Sequence, residues 1–150
     1  MEQHKEFMKV AIEEASKSEW PFGAVIVKEG DVVASAGSGD DYDPTAHAEV
    51  NVIRRACDSL KTSSLKGCVM YASCEPCALC IGAIWYAGIR SVVYGSSLKE
   101  LAQAGGPAWG EDLQFPYEQA NWPNGDRVIL KGSVMKNEVM KIYEQSPKIL

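Results

Sequence analysis

Lysine and arginine are scarce in this chain, 15 against 20 aspartates and glutamates, for a net charge of −5. They do not cluster either. Proteins that grip a phosphate backbone usually gather basic side chains on one face, and the nearest approach here is the pair Arg54-Arg55. The balance argues against a nucleic-acid partner and for a small-molecule one. The N-terminal stretch MEQHKEFMKVAIEEASKSE carries charges throughout and no apolar run. It offers no export signal and no membrane span. Five cysteines in such a chain make a poor disulfide framework. A cytoplasmic, reducing location is expected, with two of the thiols on metal. Internal repeats and low-complexity tracts are missing too, so 150 residues with 46% hydrophobic and 23% charged content suit one globular domain over 1–150.

What is present alternates. Phe7, Met8, Ala11, Ile12 and Ala15 recur at helical spacing between charged residues, an amphipathic first helix. Residues 24–28 (AVIVK) and 31–36 (DVVASA) flank Glu29-Gly30 as a hairpin would. Asp43-Pro44 then reads as the start of a second helix, with Asp43 as its cap and an apolar face of Ala46, Val50, Ile53, Cys57 and Leu60. A third strand (67–72), a third helix (77–87), a fourth strand (91–94) and a short helix (98–104) follow. The chain closes with a strand (127–131) and a helix (134–144) that offers Val134, Val139, Met140 and Tyr143 for packing. The pattern predicts an α/β fold, a three-layer α/β/α sandwich on a mixed five-stranded sheet, later strands parallel. The stretch 104–126 is rich in Gly, Pro and aromatics, and long connections of this kind are usually functional.

Two short segments carry the chemistry: His47-Ala48-Glu49 and Pro76-Cys77-Ala78-Leu79-Cys80. One imidazole and two thiols make three zinc ligands, leaving a fourth tetrahedral position for water, as in catalytic sites. The order H-x-E…P-C-x-x-C is that of zinc deaminases acting on nucleobases. His47 and Glu49 stand roughly 200° apart around a regular helix. Both can address one ion only if it lies off the open N-terminal end. Cys77 and Cys80, three apart, share a face. Two thiolates neutralise the charge of Zn²⁺, so the metal acidifies its water less than a three-histidine site does, and a nearby base becomes useful. Glu49 suits that role, taking a proton from the attacking water and carrying protons to a ring nitrogen and then to the departing ammonia. Taken singly, a C-x-x-C is as readily a structural zinc knuckle or a redox pair, and an HAE a helix cap. A non-catalytic scaffold, however, has no use for an acid beside an open position. Cys74 lies three before Cys77, so the same spacing describes that pair. Cys74 is read as the end of a strand and an alternative ligand. Cys57 and Cys68 are expected to be plain buried thiols, and His4 to be solvated.

On the stretches PFGAVIVKEG, DPTAHAEVNVIRRAC, YASCEPCALCIGAI and GIRSVVYG, about half of the chain, the sequence resembles the cytidine deaminase-like superfamily. It is most similar to the branch holding guanine and guanosine deaminases, tRNA adenosine deaminases and fungal-type cytosine deaminases. YASCEPC is closer to the guanine and guanosine enzymes. The resemblance implies one Zn²⁺ on His47, Cys77 and Cys80, with Glu49 as proton shuttle. It also implies Phe22 as a wall of the pocket, the Ala48 N–H holding a ring carbonyl, and the Glu75 carbonyl steering the leaving amine. A homodimer is expected on the same ground. The activity implied is hydrolytic deamination of a purine base or nucleoside, guanine-like first. An aminopyrimidine such as cytosine or isocytosine is the alternative, and tRNA adenosine editing the alternative from another class.

Two departures bear on the substrate. The family usually places an Asn just after the second strand; residues 37–42 (GSGDDY) hold none. The guanine enzymes carry an A-G-F-D-D-like segment, whereas Ala104-Gly105-Gly106 here is followed by Pro107-Ala108-Trp109-Gly110 before Glu111-Asp112. Guanine offers N–H donors that a carboxylate can read, which makes Asp112, or Glu111, the candidate reader. Trp109, Phe115, Tyr117 and Trp122 are candidates to stack on the ring, or to pack this segment on the body.

Overall fold

The computed structural model describes residues 2–39, 42–105 and 114–146. Its elements are α1 (Glu2–Lys17), β1 (Trp20–Lys28), β2 (Asp31–Ser38), α2 (Ala48–Leu60), β3 (Val69–Cys74), α3 (Ala78–Ala87), β4 (Ser91–Ser96), α4 (Leu98–Gly105), β5 (Ile129–Lys131) and α5 (Lys136–Gln145). The strands form one sheet in the order β2-β1-β3-β4-β5. β1 runs antiparallel to β2 and β3, while β3, β4 and β5 are mutually parallel.

Strand alternation sorts the core into layers. Ala24, Ile26, Met70 and Val92 face one way and pack with Val52 and Ala56 of α2 and Ile81 and Ile84 of α3. Val25, Val27, Tyr71 and Val93 face the other way and meet Phe7, Met8 and Ala11 of α1. Strands buried on both faces read as continuous apolar runs, as AVIV and SVVY do. Beyond them, Val139 and Tyr143 of α5 close over Leu98, Leu101 and Cys74. The result is the expected mixed-sheet α/β/α sandwich. Glu29 and Gly30, with φ of 51° and 84°, make the tight β1–β2 turn. At Gly23 any side chain would strike the backbone of α1, which lies flat against the sheet.

Several local expectations are corrected. Asp43 does not cap α2; its Oδ1 accepts from the Thr45 N–H (2.8 Å) and hydroxyl (2.6 Å), closing a turn of its own. The helix starts at Ala48 with His47 as the N-cap. Of the expected apolar face, Ala46 and Val50 are buried, Ile53 and Cys57 are half-buried and Leu60 is exposed, and Ala48, Val52 and Ala56 make the stripe in the main core. Small residues there let the helix approach the sheet closely. His4 is not simply solvated: its Nδ1 lies 2.8 Å from the Tyr71 hydroxyl. Partial burial, with Lys131 and the N-terminal amine, holds that imidazole below its usual pKa.

β3 and β4 each run two residues past the predicted ends, so Cys74 and Ser96 pair in register. The polar residues that disguise this extension are satisfied internally. Ser73 Oγ accepts from the Gly23 N–H at 3.0 Å, and Ser96 Oγ lies 2.6 Å from the Tyr143 hydroxyl. Ligands in open α/β sheets bind beyond the carboxyl ends of parallel strands, and β3 ends at Cys74. Among the described residues no helix is long and apolar enough to cross a membrane.

Candidate metal centre and active-site cavity

The end of β3 leads through Glu75 and Pro76 straight into α3. Cys77 is the N-cap of that helix, held extended (φ −75°, ψ 177°), and His47 caps α2 in the same way (φ −68°, ψ 154°). N-caps usually accept a bond from the first turn through Ser, Thr, Asp or Asn. Neither His47 nor Cys77 makes such a bond, and their side chains meet each other instead. Their carbonyls accept the first helical N–H bonds, from Asn51 and Ile81, both at 2.9 Å. Two helix starts therefore converge, and each presents N–H groups and positive dipole ends to the space between them.

His47 Nδ1 lies 3.5 Å from Cys77 Sγ and 3.4 Å from Cys80 Sγ, and the two sulfurs are 3.8 Å apart. A tetrahedral zinc with ordinary bond lengths needs sulfur–sulfur separations of about 3.8 Å and nitrogen–sulfur separations of about 3.5 Å. The triad has those spacings. Among the described residues it is the group of ligand-type side chains close enough to share a cation. Cys77 and Cys80 also compete for a proton: their mutual hydrogen bond holds the Cys77 thiol down, to about 4, and pushes Cys80 well up. A divalent ion suits such a pair.

Glu49 is buried, with its Oε2 accepting from the Cys80 thiol at 3.0 Å. Burial pushes its carboxyl up, against the hydrogen bond from Cys80 that lowers it. Cys74, by contrast, is pushed up to about 12, chiefly by burial, and stands outside the triad. It sits near Ser96 and Tyr143 in the core.

The triad opens into a cavity of about 560 Å³, within the ~300–1,000 Å³ of small-molecule sites. Phe22, Ala48, Glu49, Glu75, His47 and Cys77 all line it, while Cys80 is fully buried behind them. Of the expected substrate contacts, Trp109 and Asp112 (with Glu111) lie outside the described residues. Phe115, Tyr117 and Trp122 do not line this cavity. They pack on one another and on the core beside α3, because three aromatics bury more surface against that helix than over an open mouth. Sequence reasoning missed Trp20, Ser38, Tyr42 and Asp43, which also line the cavity. Trp20 was readable as an aromatic two residues from Phe22; Tyr42 had no signal.

Residues 1–96 match the family model for the cytidine and deoxycytidylate deaminase zinc-binding region. The chain is 42% identical over 111 residues to a guanine deaminase of Bacillus subtilis (strain 168), covering 73% of this chain and 68% of that one. It is also 42% identical over 96 residues to a tRNA-specific adenosine deaminase of Aquifex aeolicus (strain VF5), covering 60% and 64%. The X-ray structure of guanine deaminase from Bacillus subtilis superposes with a TM-score of 0.65 at 35% identity, covering 98% of this chain and 95% of that one.

Proposed function

This chain belongs to the cytidine and deoxycytidylate deaminase zinc-binding family, and on that premise we propose that it hydrolyses the exocyclic amine from a free purine base or nucleoside, guanine-like first, releasing ammonia. The observation that carries the reading is the buried Glu49 carboxylate beside a His47–Cys77–Cys80 triad spaced for a tetrahedral metal. Similarity to the guanine deaminase of Bacillus subtilis supports the choice of ring.

His47 Nδ1 and the two sulfurs would hold one Zn²⁺, which supplies a Lewis acid that makes water a nucleophile at neutral pH. Glu49 Oε2 would take one proton from the attacking water and deliver it to the ring nitrogen, then carry the second proton of that oxygen to the amine as the C–N bond breaks and ammonia leaves. Its burial and raised pKa suit a group that must hold and release a proton near neutrality. The Ala48 N–H, in the first turn of α2, would bond a ring carbonyl; its place in the cavity lining supports this. The Glu75 carbonyl steers the amine, and Phe22 walls the ring. Asp112 and Trp109 remain the candidates to read the ring edge and cover its face. A second copy is expected to pack on α3, where Leu79 and Tyr86 are 39% and 84% exposed.

A tRNA substrate is the competing reading, because a relative of that activity matches at equal identity. The net charge of −5 opposes it, as does a cavity with no lysine or arginine among its described lining residues. Zinc-loaded protein is to be offered aminopurines, aminopyrimidines, pterins and tRNA, with ammonia measured. Turnover confined to tRNA or to a pyrimidine overturns the assignment.

A further inference from the structure

Trp20 stands at the mouth of the catalytic cavity in a strand that runs inward. Burial deepens inward along β1, from Trp20 at 37% exposed through half-buried Phe22 to Ala24 at 0%. An irregular pairing to β2 between Trp20 and Gly23 breaks the alternation of faces there. Trp20 and Phe22 both line the cavity, the tryptophan as its more exposed wall. Its backbone is fixed, because it pairs with Ser38 across the hairpin and its carbonyl accepts from the Ser38 hydroxyl at 2.8 Å. Tyr42, 95% exposed, lines the same mouth from the β2–α2 connection. Exposed large aromatics at the rim of a cavity are a binding feature more than a folding one.

No lysine or arginine lines the cavity among the described residues. Arg54 approaches from α2, but its Nη1 is 3.3 Å from Asp43 Oδ2, so these two charges offset each other. Glu49 lies buried at the inner end, which leaves Glu75 as the unpaired charge among the described lining residues. A phosphate dianion at this rim would meet a carboxylate without a spare cation. A pentose would meet a flat aromatic surface for its C–H face and the Ser38 oxygen, whose proton goes to the Trp20 carbonyl, as an acceptor for a hydroxyl.

We propose that Trp20, with Tyr42, forms a mouth subsite that holds the neutral pentose of a nucleoside substrate and rejects its 5′-phosphate. The inference rests on the deaminase reading above and narrows it from base or nucleoside to nucleoside. The amine must reach Glu49 at the inner end, so whatever the ring carries on its far side falls between Trp20 and Tyr42. Trp20 is thus a specificity-determining residue for a part of the substrate that does not react.

The test measures binding by calorimetry, and deamination by ammonia release, for two complete series: guanine, guanosine and guanosine 5′-monophosphate, and cytosine, cytidine and cytidine 5′-monophosphate. Zinc-loaded wild-type protein, Trp20→Ala and Trp20→Phe are compared. In whichever series is accepted, the nucleoside is expected to be favoured over both base and monophosphate by about tenfold, ~1.4 kcal/mol. Trp20→Ala should cut the nucleoside-over-base ratio of kcat/KM about tenfold, chiefly through the nucleoside KM; Trp20→Phe should keep most of the preference. Equal losses on base and nucleoside in Trp20→Ala, or a monophosphate accepted as well as its nucleoside, overturn the subsite. Acceptance of the cytosine series alone with the same preferences overturns the ring assignment and supports the subsite. No binding in either series overturns both.

Discussion

The hydroxyl of Tyr117 donates to the carbonyl of Pro76 across 2.8 Å, joining residues 41 apart in sequence. Pro76 precedes Cys77, so this bond holds the turn that aims one sulfur of the triad. Burial, reinforced by the nearby Glu75 carboxylate, pushes the Tyr117 phenol up. It therefore keeps its proton and stays a donor. Removing the hydroxyl in Tyr117→Phe should cost about 1 kcal/mol of stability, the worth of a typical internal hydrogen bond. It should also weaken zinc retention by about tenfold, as loss of partners behind metal ligands does. Chelator competition and denaturant titration check the two effects separately; unchanged zinc affinity would show that the turn holds its shape unaided.

Glu49→Gln keeps the shape of the side chain and removes its capacity to accept a proton. Zinc content and melting temperature should stay close to wild type, while kcat falls by about 10²–10⁴-fold, the range of general acid–base catalysis. Metal analysis with steady-state ammonia release reads both. Turnover near the wild-type rate in this variant would falsify the shuttle role.

Cys77→Ala and Cys74→Ala separate the two ways of reading C-x-x-C in this chain. Cys77→Ala is expected to lose zinc and all deamination. Cys74→Ala is expected to keep its metal, because Cys74 stands outside the triad and its thiol is pushed up to about 12, mainly by burial. Metal content after dialysis decides, and full occupancy in Cys77→Ala would make Cys74 a substitute ligand.

α4 starts with a reciprocal cap: the Ser97 N–H donates to Glu100 Oε1 at 2.9 Å, and the Glu100 N–H donates to Ser97 Oγ at 3.1 Å. Lys136 of α5 lies 3.1 Å from Glu100 Oε2. Burial raises the Glu100 carboxyl, but the bonds from Ser97 and the Lys136 ammonium outweigh it and hold the pKa below the ordinary carboxylate value. The folded state thus prefers the ionised acid. Its contribution is complete above the unfolded carboxylate pKa and is lost as pH falls through the lower, folded one. Glu100→Gln keeps an acceptor for the Ser97 N–H but loses the charge facing Lys136. It should therefore cost about 0.5 kcal/mol at neutral pH, and the gap to wild type should close in acid. Urea denaturation at pH 7 and at pH 3 to 4 measures it.

The exposed face of α3 is open to test by sedimentation. Tyr86, 84% exposed, is expected to lie in a contact between copies, so Tyr86→Glu should shift a dimer to monomer. A wild-type monomer with full activity removes the dimer.

Much of the fold was legible because burial on one or both faces leaves a period in the sequence. Runs such as AVIV and SVVY became central strands, and Phe7, Met8, Ala11 and Ala15 became the buried stripe of α1. Boundaries were less legible where polar residues are buried. Ser73 and Ser96 look like loop residues, yet each finds a partner inside the fold and extends a strand. Asp43 reads as a helix cap from its neighbours, but an acid five residues ahead of the helix bonded within its own turn.

By itself, the chain's order of residues determined its ligand chemistry and its layers, since donor type and apolar period are local properties. What lay beyond it was distance. Only the folded arrangement brings His47 within 3.5 Å of sulfurs some thirty positions away, sends Phe115, Tyr117 and Trp122 to α3 instead of the cavity, and puts Trp20 and Tyr42 on its rim. The physical reason is that a site is built where separate elements end, and which ends meet is decided by how the helices pack on the sheet.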